Sequence, residues 1–197
     1  MGKIYNDTWG FFDAGQEYAS AGAALFGGFR KMVSGNYYGA NGGMPGTNAF
    51  ANQQMWAAPL WVPRAITIDR LACEVTALVA GSTVRLGLYG STAEDTPGAL
   101  VLDAGTVDSA TTGIKEILAL STRIPAGLYW LAAVSQGGTP TLRSIGNSSA
   151  PPVASTLGGG STGPNSYYQN GVVGALPATF TAVGASSGGT RVMAHIA

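Results

Sequence analysis

From residue 55 onward, apolar residues fall in short runs broken by turn formers, the rhythm of antiparallel strands. The runs predict strands at about 55–62, 66–77, 83–90, 99–107, 114–121, 127–135, 139–145 and 190–196, with a weaker one near 178–182. The clearest alternation sets Val84, Leu86 and Leu88 on one face and Arg85, Gly87 and Tyr89 on the other, which places Arg85 in solvent. In the preceding run Ile66 and Ile68 share one phase and Leu71, Cys73 and Val75 the opposite one. That shift requires a bulge or bend near Asp69-Arg70, and would let one strand serve two sheets. Leu128 to Val134 is apolar on both faces, as in a central strand covered from two sides. The segments Ser91 to Gly98 and Ile124 to Gly127 carry the Pro and Gly of tight reversals. The pattern predicts an all-β chain, an antiparallel β-sandwich of jelly-roll-like character over residues 55–197.

Residues 1–54 lack the period of two and read as an N-terminal arm rich in Gly and aromatic residues, partly helical or extended. Tyr18, Ala21, Leu25, Phe29 and Met32 are spaced to share one helical face, but Gly22, Gly27 and Gly28 each weaken such a helix by about 1 kcal/mol, so it needs a neighbour to pack on. Gly39 to Gly46 reads as a flexible connector, and 146–173, rich in Gly, Ser and Pro, as a long surface excursion.

Composition sharpens this picture. With 30 Gly and 10 Pro in 197 residues, long regular helices are disfavoured. Charged residues make up 10% of the chain, against ~25% in an ordinary globular domain, while 46% of residues are hydrophobic, enough for a core. Ten basic and ten acidic residues cancel, which removes the electrostatic footprint of nucleic-acid or membrane-surface binding. The single cysteine, Cys73, lies in an apolar run and reads as a buried free thiol. Near the N-terminus the longest uncharged stretch, Tyr18 to Phe29, falls short of the ~20 apolar residues of a membrane span, and no signal-peptide stretch follows Lys3; a soluble chain without membrane insertion is expected.

Catalytic patterns are thin. The sole histidine, His195, lies opposite Val192, Ala194 and Ile196 in the last strand and reads as structural; no Gly-x-Ser-x-Gly elbow and no second imidazole accompany it. Glu94 with Asp95, and Asp103 with Asp108, are the acid pairs a glycoside-cleaving site would draw on, and all four read as solvated turn or strand-end positions. No calcium-loop pattern surrounds Glu94 and Asp95, and no Gly-rich stretch runs into Gly-Lys-Ser/Thr. We assign no catalytic residue, metal ligand or cofactor and expect no enzyme. The aromatic residues say more. Trp130 reads as core, and Trp56 and Trp61 as sealing a sandwich edge. Tyr37-Tyr38 and Tyr167-Tyr168 lie in loop-like sequence and are the candidate contacts to glycan or a protein partner. Trp9, Phe11, Phe12, Tyr18, Phe26 and Phe29 give the arm more apolar surface than it can bury alone, marking it as an assembly anchor.

Several blocks, taken together and in order, carry a family resemblance. They are Ala58-Pro59-Leu60-Trp61-Val62-Pro63-Arg64 through Ile68-Asp69-Arg70-Leu71, Val84-Arg85-Leu86-Gly87-Leu88-Tyr89, Pro97 to Val107, Gly127-Leu128-Tyr129-Trp130-Leu131-Ala132 and Gly174-Ala175-Leu176-Pro177-Ala178-Thr179-Phe180. Over about Gly35 to Ala197 the chain resembles a β-sandwich domain of structural proteins in tailed bacteriophages and related particles. The resemblance implies a virion component in a tail or head spike, fibre tip or receptor-binding module, displayed as a homotrimer or other homo-oligomer. Its expected partners are copies of itself, head or tail proteins held through the arm, and host cell-surface polysaccharide, engaged weakly but in many copies. Two other classes compete: a decoration or connector protein with no ligand, and a glycan-cleaving domain.

Overall fold

The computed structural model describes residues 32–40, 45–145, 166–186 and 188–197. Within them the chain forms strands and no helix: β1 Tyr37–Tyr38, β2 Gly46–Ala49, β3 Met55–Val62, β4 Ile66–Ala77, β5 Thr83–Ser91, β6 Pro97–Asp108, β7 Gly113–Ile117, β8 Thr122–Ile124, β9 Gly127–Gln136, β10 Thr141–Ile145, β11 Ser166–Gln169, β12 Gly184–Ser186, β13 Gly189–Thr190 and β14 Met193–Ile196. They build two antiparallel sheets packed face to face, a β-sandwich. Sheet A runs β1-β14-β4-β10-β13, with β2 beside β10 and both β7 and β8 beside β4; sheet B runs β12-β11-β3-β9-β5-β6.

The core between the sheets follows from the alternation. Sheet A contributes Ile66, Ile68, Leu71, Cys73, Val75, Ala194 and Ile196, and sheet B contributes Leu60, Val62, Val84, Leu86, Leu88, Leu131 and Ala133, all buried in one cluster. Each large aliphatic side chain taken out of water here contributes about 1.5–3 kcal/mol before chain entropy is charged against it. The phase reversal in β4 is a bulge. Ala194 faces Leu71 and Ile196 faces Ile68, so two β4 residues, Asp69 and Arg70, stand against His195 alone. The strand on the opposite edge of β4 breaks at the same level. β7 ends at Ile117, Ala119 turns with φ +60°, Leu120 N–H donates to the Asp69 carbonyl, and pairing resumes as β8. The strand expected over 114–121 therefore ends at Ile117, a further strand, β8, follows the break beyond the expected range, and β4 stays wholly within sheet A.

Strand β9 is central, paired to β3 along one edge and β5 along the other, and its odd and even residues are both buried. One face enters the sandwich core. The other, Trp130, Ala132 and Val134, joins Met55, Ala57 and Tyr89 beneath a cover of Val172, Leu176 and Phe180. Residues 170–183 thus roof the outside of sheet B, and the weak strand expected at 178–182 is part of this roof, tied on by the bridge Ala99–Thr179. Pro59 is tolerated in β3 because β11 pairs only with Met55 to Ala57, so no neighbour on that edge asks Pro59 for an N–H.

Three side-chain features fasten the roof. Tyr89 donates its hydroxyl to the Pro177 carbonyl (2.9 Å) while its ring meets Phe180 edge-on (5.4 Å). Asp103 accepts from Arg85 Nε and Nη2 (2.7 and 2.8 Å) and from the Leu176 N–H (3.0 Å), so Arg85 is not solvated but half-buried in a two-pronged ion pair, and Asp103 is not a loose strand-end acid. Asp108 does hold an exposed turn, accepting from Ala110 N–H and Thr111 Oγ1. Gly87 supplies the third feature by having no side chain. A Cβ there would stand 2.2 Å from Leu176 Cδ1 and 2.6 Å from the Leu102 carbonyl oxygen.

The sandwich also reaches further back than residue 55. Met32 and Phe50 are buried in the core, β1 pairs with β14, β2 pairs with β10, and the Gly35 N–H donates to the Ile196 carbonyl. The candidate anchor residues Trp9, Phe11, Phe12, Tyr18, Phe26 and Phe29 lie outside the described residues, as does the excursion up to residue 165; its continuation, Ser166 to Gln169, is strand rather than loop.

Two outcomes follow for stability. Gly87→Ala should lower unfolding free energy by about 1–3 kcal/mol through overpacking under Leu176, read as a shift in urea midpoint at unchanged m-value. Burial raises the Asp103 carboxyl, yet Arg85 and the Leu176 and Gly105 N–H groups outweigh it and leave its pKa below the ordinary carboxylate range. The unfolded state then binds the proton first, so the stabilisation is complete above the ordinary aspartate pKa of about 3.9 and is lost as pH falls through the lowered value. Melting temperature measured from pH ~6 down to pH ~2 should fall less steeply in Asp103→Asn, which starts lower and lacks this titration.

Candidate functional site

The outer face of sheet A, unlike that of sheet B, has no roof among the described residues, and it carries a hollow. Cross-strand registry explains its position. Residues directly opposed in antiparallel strands point to the same side, and one row reads Met193, Ala72, Glu116 across β14, β4 and β7. A neighbouring row reads Tyr37, His195, Arg70, and on the other side Glu74 faces Ile114. Ala72 is the short residue among long ones, so the sheet surface dips there. The hollow, about 370 Å³, is walled by Tyr37, Glu74, Ile114, Glu116, Arg143, Arg191 and Met193.

Its polar groups are mostly held in place. Glu74 and Arg143 form a two-pronged pair (2.7 and 2.9 Å), and the Arg143 bond holds the Glu74 carboxyl below its usual pKa against a smaller opposing effect of burial. The Tyr37 hydroxyl donates to Glu116 Oε1. Burial raises the Tyr37 pKa, Glu116 raises it further, and Arg70 opposes both. The Tyr37 ring lies 4.7 Å from the imidazole of His195, whose Nδ1 is hydrogen-bonded to Asp69 Oδ1. His195 is therefore a structural link that ties the β4 bulge to Tyr37. Arg191 makes no ion pair among the described residues, and its buried Nε has no hydrogen-bond partner.

The two tyrosine doublets are not in loops and are not brought together. Tyr37 and Tyr38 form β1 at the edge of sheet A; Tyr37 faces the hollow, while Tyr38 packs against the core and exchanges hydrogen bonds with the Val33 backbone. Tyr167 and Tyr168 form β11 in sheet B. Tyr167 meets Trp130 edge-on at 5.3 Å and Tyr168 leans on Trp56 at 5.1 Å, so each is half-buried against a different side of the sheet. Trp130 is fully buried and Trp56 nearly so, but Trp61 is 48% exposed and seals nothing. Sequence reasoning missed Glu74, Arg143, Arg191 and Met193. Their alternation with buried neighbours was visible, but their convergence depends on which strands become neighbours.

No family model matches the chain, and no curated protein matches it by sequence.

Beneath the hollow, Cys73 points into the core and burial pushes its thiol pKa up to about 12. Native protein should therefore resist a thiol reagent at pH 8, with one thiol per chain appearing only on unfolding in guanidinium, followed by the absorbance of the released thiolate.

Proposed function

We propose that this chain is a structural protein of a tailed bacteriophage or related particle, displayed on the virion in a tail or head spike or fibre as a homo-oligomer. Its aromatic-rich first segment would attach it to neighbouring virion proteins, and its sandwich would contact host-surface glycan. The observation that carries the reading is where the resembling sequence blocks fall. They are β3, β5, β6, β9 and the roofing segment 174–180, which make up most of sheet B and its fastening, together with the β4 bulge of sheet A, so the resembling blocks coincide with architectural elements rather than scattered residues. The balance of charge and the engagement of Arg85, Asp103, Glu74 and Arg143 in internal pairs suit a rigid display unit that works by contact.

A second reading, an architectural decoration or connector with no ligand, is favoured by one specific fact. Three of the four tyrosines first marked for glycan contact are engaged in internal aromatic or backbone contacts away from the hollow.

The full-length chain should scatter light as a homo-oligomer and bind intact host cells saturably. Removing residues 1–31 should leave the far-ultraviolet β spectrum intact and abolish incorporation into particles, since every strand and core residue described lies at or after Met32. A monomeric full-length chain that neither joins particles nor binds cells would overturn the proposal; an oligomer that joins particles and ignores cells would establish the architectural reading.

A further inference from the structure

We infer that the hollow on the outer face of sheet A is a binding site for one or two units of a neutral saccharide, held against Tyr37 and Met193 and hydrogen-bonded by Glu74, Arg143 and Arg191. This deepens the glycan contact proposed above and rests on that reading. It also moves the contact away from the Tyr167-Tyr168 doublet to a different sheet.

The argument is one of matched surfaces. A pyranose presents a patch of C–H groups on one face and a rim of hydroxyls, each both donor and acceptor. The patch asks for an apolar platform, and the rim asks for carboxylate acceptors beside guanidinium donors. The hollow offers both. Its apolar wall is the Tyr37 ring, Met193 and Ile114, the last left 74% exposed on β7. Its polar rim is the Glu74–Arg143 pair with Arg191 beside it and Glu116 opposite. A volume of about 370 Å³ lies at the small end of ligand sites, which suits a sugar unit rather than a long peptide.

Charge selects the class. The two carboxylates and two guanidinium groups lining the hollow balance, so nothing there favours a uronate, sialate or phosphate over a neutral sugar. Arg191 adds a reason for a ligand at all. Its buried Nε lacks a partner, and an unpaired buried donor is costly unless something accepts from it or releases the side chain into a new arrangement. The platform is also preset. Glu116 holds the Tyr37 hydroxyl, His195 backs its ring, and Asp69 at the β4 bulge holds His195, so little side-chain order remains to be lost on binding. His195 and Asp69 act here as positioning residues through Tyr37.

The test is saturation-transfer NMR on the full-length chain with glucose, galactose, N-acetylglucosamine and their disaccharides, and with glucuronate as the charged counterpart. At least one neutral sugar should bind saturably. Arg191→Gln and Ile114→Glu should each weaken it about tenfold or more, the effect of losing a charge-assisted bond or placing a carboxylate in the hollow. Neither position is in the core, and an unchanged thermal melt identifies a folded variant. Trp61→Ala, on the other sheet, should bind as the parent does. Binding untouched by both groove variants, preference for glucuronate, or no saturable binding of any neutral sugar would each overturn the site. Host-cell binding that survives Arg191→Gln would overturn the site while leaving the displayed, glycan-contacting reading intact, so the two failures are distinguishable.

Discussion

Strand β9 must be covered on both faces, and most of the architecture answers that demand. Leu131 and Ala133 face the sandwich interior, while Trp130, Ala132 and Val134 face outward and would leave a broad apolar strip in water if sheet B were an ordinary sandwich sheet with one wet side. The chain meets this with residues 170–183, laid across the outer surface as a roof. A roof made of irregular chain brings its own problem, because its backbone groups need partners. The Tyr89 hydroxyl takes the Pro177 carbonyl, Asp103 takes the Leu176 N–H, and the Gly98 carbonyl takes the Phe180 N–H. Asp103 can serve there as a partly buried anion because Arg85 neutralises it from the adjacent strand.

The same logic, applied to the other sheet, leaves a different result. Sheet A turns Ala72, Met193, Glu74, Arg70 and Glu116 outward, a mixture of short apolar and long charged groups that water tolerates. Among the described residues no roof crosses this face, and the dip over Ala72 is open. Among the described residues, the outer face of sheet B is covered by its own chain and that of sheet A is not. That division is why the candidate site lies on sheet A although sheet B holds more aromatic residues.

The β4 bulge joins these two stories. By inserting Asp69 and Arg70 against one residue of β14, it lets Ile66 and Ile68 and then Leu71, Cys73 and Val75 all point inward. It also displaces the Asp69 side chain toward His195, and through His195 the bulge reaches Tyr37. A feature required for packing thus ends up positioning a wall of the hollow.

The chain's own pattern determined the positions of β3, β4, β5, β6, β9, β10 and the last strand, the bulge at Asp69-Arg70, the buried thiol of Cys73 and the two-sided burial of β9. These are local properties, since alternation, β-branching and the φ preferences of Gly and Pro act within a few residues. Tertiary structure decided the rest. It drew Tyr37-Tyr38 into the edge strand β1 and Tyr167-Tyr168 into β11, one strand in from the edge of sheet B, because the flanks of a sheet recruit short segments that carry no periodic signal of their own. It paired Arg85 with Asp103 and turned an expected solvent arginine into the clasp of the roof. And it gathered Tyr37, Ala72, Glu74, Ile114, Arg143, Arg191 and Met193 from five separate stretches of chain into one hollow. Strand order and register, which bring such residues together, are set by long-range packing of whole faces, and periodicity along a single strand assigns faces without assigning neighbours.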